Sequence, residues 1–251
     1  MSEQLEDEFD LVATWTEQAV EELGPAYAIA AACRGSGSPA SLAWLAEALE
    51  VPLARRMLDA GSGVGGPAAW LAAHFGVRPV CAEPMRGAVR ASHRLFGLPA
   101  VAAEGQALPF ADGSFDAAWS LGVLDTAGDK AALLAEVRRV LGDGGRLGLL
   151  AFLAAGPLPP PLPEGNDFST QDELRRLLKE ARFHVLQTVP AAPLRDAPVS
   201  WRAHADQVED VLNRQHGDDP RWVTAEEQSA RIGRLIAGGH LHPTLLHALA
   251  V

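Results

Sequence analysis

A chain of 251 residues, 21 of them basic and 32 acidic for a formal net charge of −11, is long enough for one large α/β domain with a covering element and too acidic to expect a nucleic-acid partner. Two cysteines exclude a disulfide framework and a cysteine metal cluster. No apolar stretch approaches the roughly 20 residues that span a bilayer, and residues 1–10 lack the basic and apolar regions of a signal peptide, so a cytoplasmic location with no membrane partner is expected.

In chain order, Phe9, Val12, Trp15, Val20 and Leu23 recur at helical spacing over residues 7–23, and Gly24-Pro25 stops them. Tyr27 follows, the sole tyrosine, and the run Arg34-Gly-Ser-Gly-Ser-Pro39 reads as a loop before a second helix with Leu42, Leu45 and Leu49. Residues 1–50 are expected to form a helical lid, and residues 51–251 the main domain. There, Met57 and Leu58 close a short buried strand, Gly61, Gly63, Gly65 and Gly66 follow at once, and Pro67 opens an apolar helix that runs to Gly76. A strand, a glycine turn and a helix make a nucleotide cradle: glycine takes positive φ and lets backbone N–H groups approach a ligand closely.

The cradle by itself leaves its ligand open. Gly61-x-Gly63-x-x-Gly66 also fits the dinucleotide fingerprint, with Glu83 at about the expected 20 residues beyond. Asp59, ahead of the first glycine, would repel a pyrophosphate and suits a cationic ligand, which points to the sulfonium and amino groups of S-adenosylmethionine. The run Asp59-Ala60-Gly61-Ser62-Gly63-Val64-Gly65 resembles the first motif of the class I S-adenosylmethionine-dependent methyltransferases, of the small-molecule type. A non-enzymatic module binding the same ligand remains open on these residues, as does an NAD-dependent oxidoreductase.

Residues 77–82 read as a second strand ending at Glu83, where a carboxylate can accept two hydrogen bonds from a ribose diol, with Pro84 and Met85 next to it and Met85 placed against an adenine face. A helix over 88–96 and a strand over 98–103 follow, ending at Glu104. The run Leu108-Pro-Phe with Phe115-Asp116 is similar to a second signature of the family. The resemblance implies an adenine-binding carboxylate just before it; here Glu104 takes that place, with Gly105 or Gln106 offering a backbone N–H. A fourth strand over 115–121 brings Ser120, Leu121 and Gly122 to the methionine end of the cofactor, and Asp125-Thr126 to the acceptor or to the cap of the next helix. That helix spans 130–141, and Gly142-Asp-Gly-Gly145 turns into a fifth strand over 146–153.

The proline-rich run 156–163 reads as a stiff loop over the substrate mouth, and Thr170-Gln-Asp-Glu173 as a capping box opening a further helix. A sixth strand over 183–189, a helical lid insertion at about 192–240, and a closing antiparallel strand over 241–251 complete the chain. His240-x-His242 has no acidic or cysteine partner in its motif, and no metal site is assigned. The expected fold is a Rossmann-like, mostly parallel seven-stranded sheet with helices on both faces and an antiparallel last strand. The expected function is O- or C-methylation of a small molecule from S-adenosylmethionine. A base is optional in this chemistry, and Asp125, Tyr27 and His93 are the candidates in that order.

Overall fold

The computed structural model describes residues 3–50 and 56–251; the first two residues and the expected domain boundary at residue 51 lie outside them. Three helices come first: α1 (Glu3–Leu23), α2 (Ala28–Ala32) and α3 (Pro39–Ala48). The alternating core follows as β1 (Met57–Ala60), α4 (Gly66–Phe75), β2 (Val80–Glu83), α5 (Arg86–Phe96), β3 (Ala100–Ala102), β4 (Phe115–Leu121), α6 (Lys130–Val140) and β5 (Leu141–Ala154). The chain ends with α7 (Gln171–Glu180), β6 (Phe183–Pro190), α8 (Val199–His216), α9 (Pro220–Ala237) and β7 (Leu241–Ala250).

The strands form one sheet in the order β3-β2-β1-β4-β5-β7-β6. Pairing is parallel from β3 through β5, while β7 runs antiparallel to both β5 and β6. The order reverses between β1 and β4, so a crevice opens beyond the carboxyl ends of those two strands. Adjacent strand residues point to opposite faces and therefore enter different cores. Leu58, Ala118, Leu149 and Leu246 pack with Leu133, Leu134 and Val137 of α6 and Leu174 and Leu178 of α7. Met57, Trp119, Leu150 and Leu245 pack instead with Leu42, Leu45 and Leu49 from α3 and its end, and with Trp70 and Leu71 of α4.

Local chemistry sets the element ends. Gly76 and Gly97 adopt left-handed conformations that terminate α4 and α5. Asp129, rather than Asp125 or Thr126, caps α6 by accepting from the Ala132 N–H at 2.9 Å. The capping box is complete: Thr170 Oγ1 accepts the Glu173 N–H, and Glu173 accepts the Thr170 N–H at 2.7 Å.

Two elements differ from the sequence reading. Strand β5 begins at Leu141, because the glycine turn is absorbed as a bulge: Leu141 pairs with Phe115, yet the next pair is Arg146 with Ala117. Helix α2, Ala-Ile-Ala-Ala-Ala, lacks a polar face to reveal a period; four of its five residues are buried.

The N-terminal helices and the insertion meet each other as well as the core. Trp15, Ala19 and Val20 of α1 and Ala28 and Ala31 of α2 form a third apolar cluster with Val208, Val211, Leu212 and Trp222 of α8 and α9. Trp222 is 1% exposed, its indole N–H donates to Asn213 Oδ1 at 2.8 Å, and the Arg34 guanidinium lies 5.1 Å from its ring centre. Removing so large a side chain from this junction costs about 3–5 kcal/mol. Chemical denaturation of Trp222→Ala is expected to show a loss of that size; stability equal to wild type would mean that the helices do not seat as described.

Candidate functional site

The glycine turn is tied to the second strand before any ligand is considered. The N–H groups of Gly61 and Ser62 donate to the Ala82 carbonyl at 2.8 and 3.3 Å. Gly63 has φ +52° and its missing Cβ would point into open space, with nothing within 4 Å. Gly66 is constrained from another side: a Cβ there would collide with Ala32 and would stand 2.6 Å from the Cys33 N at the end of α2. The cradle therefore has an open mouth at Gly63 and a floor on which α2 rests.

Two carboxylates flank it. Asp59 is 1% exposed, and its Oδ2 has no partner. Burial raises it to about 7, opposed by the nearby Trp119 indole and reinforced by the charge of Glu83. Trp119 is paired with Asp59 across β1 and β4, but its N–H completes no hydrogen bond within the chain. Glu83 is 3% exposed; one oxygen accepts the Gly63 N–H at 2.8 Å and the other the Met85 N–H at 3.1 Å. Burial raises Glu83 to about 7 as well, against those two hydrogen bonds. A carboxylate has about four acceptor positions, so Glu83 keeps room for two hydroxyl donors.

The remaining predicted cofactor residues lie at the carboxyl ends of β1 to β4 and in the turns that follow them. Ser62 is buried, while Pro84 and Met85 are half-buried at the turn after β2. Glu104 and Gln106 are exposed beyond β3, with Gly105 half-buried between them, and the charge of Glu104 is felt at Glu83. The Ser120 hydroxyl is committed to the Ala60 carbonyl at 2.9 Å. Leu121 turns into the core, so its backbone alone faces the crevice, and the Gly122 N–H is bonded to the Leu150 carbonyl at 2.9 Å. The loop after α2 crosses here, for a Cβ on Gly122 would lie 3.1 Å from the Gly35 carbonyl.

The three base candidates do not converge. Asp125 is 2% exposed, and its Oδ2 accepts the Phe152 N–H at 2.9 Å, two residues past the last β4–β5 pair. Burial raises it to about 7, eased by that hydrogen bond and by Lys130. The Asp125 carbonyl also receives the Asp167 N–H at 2.7 Å, and Lys130 pairs with Asp167 Oδ2 at 2.9 Å, so Asp125 joins β5 to the segment between the proline-rich run and α7. Tyr27 donates to Gln207 Oε1 at 3.0 Å and packs on His204, which makes it part of the seat of α8. His93 is exposed in the last turn of α5. That helix starts at the crevice and runs away from it, and His93 is carried to the far edge of the sheet.

Other residues matter that had no motif to mark them. Glu136 and Arg139 of α6 hold the Leu108-Pro109-Phe110 segment by its backbone: Glu136 accepts the Leu108 N–H at 2.8 Å, and Arg139 donates to the Leu108 and Phe110 carbonyls at 3.0 and 2.8 Å. Asp10 of α1 accepts from the Gly87 and Ala88 N–H groups at the start of α5. A cavity of about 160 Å³ lies between α1, α2 and α8, with Ala31, Cys33, Arg34, Trp201, Val208 and Leu212 among its walls. Among the described residues no cluster of potential metal ligands occurs, and no helix is long and apolar enough to cross a membrane.

A sheet of this order with an acid-flanked glycine turn at its switch point is the architecture of a cofactor-binding α/β protein. Residues 58–149 match the family described as methyltransferase domain. The chain is 35% identical over 121 residues to methyltransferase GfsG of Streptomyces halstedii, covering 45% of this chain and 44% of that protein. It is similar in structure to the [4+2]-cyclase SpnF, with a TM-score of 0.67 and 23% identity over 83% of this chain and 80% of the other. It is likewise similar to geranyl diphosphate C-methyltransferase of Streptomyces coelicolor A3(2), solved with S-adenosyl-L-homocysteine (TM-score 0.63, 18% identity, 84% and 76% covered). The chain spans about half or less of the length of the curated relatives it matches.

Residues 58–149 thus match a methyltransferase domain, and the resemblance to the class I S-adenosylmethionine-dependent methyltransferases implies S-adenosylmethionine as the ligand of the cradle. The residues present fit that molecule. Open space over Gly63 and an unpartnered buried Asp59 oxygen suit a cationic ligand that comes close to backbone, and Glu83 retains acceptor capacity for a ribose diol.

The buried carboxylates carry a pH dependence whose sign follows from the direction of their shifts. A carboxyl group raised to about 7 in the folded chain adds stability at low pH, and that contribution is lost as pH climbs through 7. Asp59→Asn removes one such group without changing its shape. The ligand-free variant is expected to be more stable than wild type by at least about 1 kcal/mol at about pH 8, the gap closing toward about pH 5. Thermal unfolding of both proteins across that range checks it, and a constant gap would contradict the burial of an ionisable Asp59.

Proposed function

We propose that the chain transfers a methyl group from S-adenosylmethionine to an oxygen or carbon of a small, largely apolar molecule. The observation that carries this reading is the pair Asp59 and Glu83, both buried, on either side of the open Gly63 backbone. Asp59 would attract the cationic end of the cofactor, and Glu83 would accept its ribose hydroxyls while fixing the Gly63 and Met85 amides. The bound cofactor supplies a methyl carbon already activated by a sulfonium. In the transfer the acceptor oxygen or carbon would take the methyl carbon, sulfur would keep the bonding pair, and the acceptor's proton would pass to water beyond the closed site. The chain's task is to align the acceptor and keep water away.

The cavity between α1, α2 and α8 supports an acceptor of modest size, although Thr16, Arg34 and Glu209 add polar groups to its walls. Its Ala31, Val208, Leu212 and Trp201 walls suit a compact apolar body, and its Cys33 and Arg34 end adjoins the loop that crosses Gly122. In this reading residues 1–50 and about 192–240 act as the two halves of a lid. Glu104, Gly105 and Gln106 would border the adenine, with Met85 against its face, and Ala60, Ser62, Pro84 and the backbone of Ser120, Leu121 and Gly122 would complete the shell. Asp125 is assigned a positioning role on the acceptor side, since it fastens β5 to the segment that leads into α7 and is itself enclosed.

Calorimetric titration with S-adenosylmethionine and with NAD separates this reading from an oxidoreductase. Binding of the first and silence toward the second is expected, and the reverse would overturn the assignment. Gly63→Val puts a side chain into the open mouth and is expected to abolish binding while the fold, read by circular dichroism, is kept. Asp59→Ala is expected to weaken binding by at least about tenfold, the equivalent of about 1.4 kcal/mol. With an acceptor in hand, Asp125→Asn is expected to lower kcat more than it weakens cofactor affinity; an unchanged rate would remove Asp125 from the account.

A further inference from the structure

We infer that Asp10 is a positioning residue which pins helix α1 across the β2–α5 turn and thereby holds the cofactor's nucleoside end in place. The inference rests on the cofactor reading above and adds to it a residue from a segment that carries no family motif. Helix α5 has no side-chain cap of its own: Met85 at its N-cap makes no capping bond, and no acidic residue occurs in its first turn. The cap comes instead from 77 residues away, where Asp10 Oδ1 accepts the N–H groups of Gly87 and Ala88. Gly87 is built for this contact, because a Cβ there would lie 2.6 Å from Asp10 Oδ1 and 2.7 Å from the Asp10 carbonyl.

The turn between β2 and α5 is therefore held by two carboxylates. Glu83 grips it from the cradle side through the Met85 N–H, and Asp10 grips it from the lid side through Gly87 and Ala88. Their charges sense each other: burial is the main reason that Glu83 is raised, and Asp10 adds to it. Beyond Asp10, the same helix is tied to α5 again where Glu17 meets Arg94 at 2.8 Å. It then enters the apolar cluster with Val208, Leu212 and Trp222. Helix α1 thus runs as a strap from the cofactor turn to the insertion helices, and Asp10 is its fastening on the cofactor side. Met85, half-buried at this turn, is the residue whose placement depends on it.

The test measures S-adenosylhomocysteine affinity by calorimetry for wild type, Asp10→Ala, Asp10→Asn and Arg94→Ala. Asp10→Ala is expected to weaken binding about tenfold, while Asp10→Asn, whose amide oxygen can still accept both N–H groups, is expected to restore it to within about threefold of wild type. Arg94→Ala loosens the strap away from the turn and is expected to leave affinity unchanged. A second readout follows from the charge coupling: the pH at which affinity falls on acidification is expected to be lower in Asp10→Asn, because Glu83 no longer faces a neighbouring charge. Equal affinity for Asp10→Ala and wild type would overturn the inference, and so would equal losses in Asp10→Ala and Arg94→Ala. Absence of binding by the wild type would instead sink the cofactor reading itself, and this inference with it.

Discussion

Two carboxylates are kept out of water beside a stretch of bare backbone, and the rest of the molecule is arranged to make that tolerable. Asp59 and Glu83 end neighbouring parallel strands, so the sheet itself sets their spacing, and burial drives both toward neutrality. Glu83 is compensated by two amides of the chain, whereas one Asp59 oxygen has no partner. Buried acceptors without partners are rare because each costs about 1–3 kcal/mol. A site that carries such a cost in its ligand-free state is suited to binding a donor-rich cation.

The elements around the cradle serve it unequally. The apolar cores on the two sheet faces fix the strands, and through them the height of the carboxylates. Segments that look like recognition motifs are also braces: Leu108-Pro109-Phe110 is held through its backbone by Glu136 and Arg139, and Asp125 binds β5 beyond its last pair with β4.

The N-terminal and insertion helices have a different construction. They share an apolar cluster formed by residues distant in sequence, Trp15 with Trp222 among them. Helix α1 is also attached to the core by Asp10 and Glu17, and α2 by its contact with Gly66. The family match falls on residues 58–149, within the alternating core and outside both of these helical segments.

Much of the fold could be read along the chain because it rests on local signals. The acid-flanked glycine run, the alternation of apolar strands with helices from Met57 to Leu153, the Thr170 capping box and the helical insertion before the last strand all follow from spacing, turn chemistry and capping. The identities of Asp59 and Glu83 as strand-end carboxylates are in the same category. What the tertiary structure alone decided involves partners distant in sequence. Helix α2 has no polar face and is revealed only by the helices that bury it, and the glycine turn before β5 becomes a bulge because β4 continues to pair across it. Asp10 looks like any acidic residue on an amphipathic helix until Gly87 and Ala88 are seen beneath it, and His93 looks like a candidate base until the direction of α5 carries it away from the crevice. Periodicity specifies which side of an element is apolar, but which residue of another element it meets depends on packing in three dimensions.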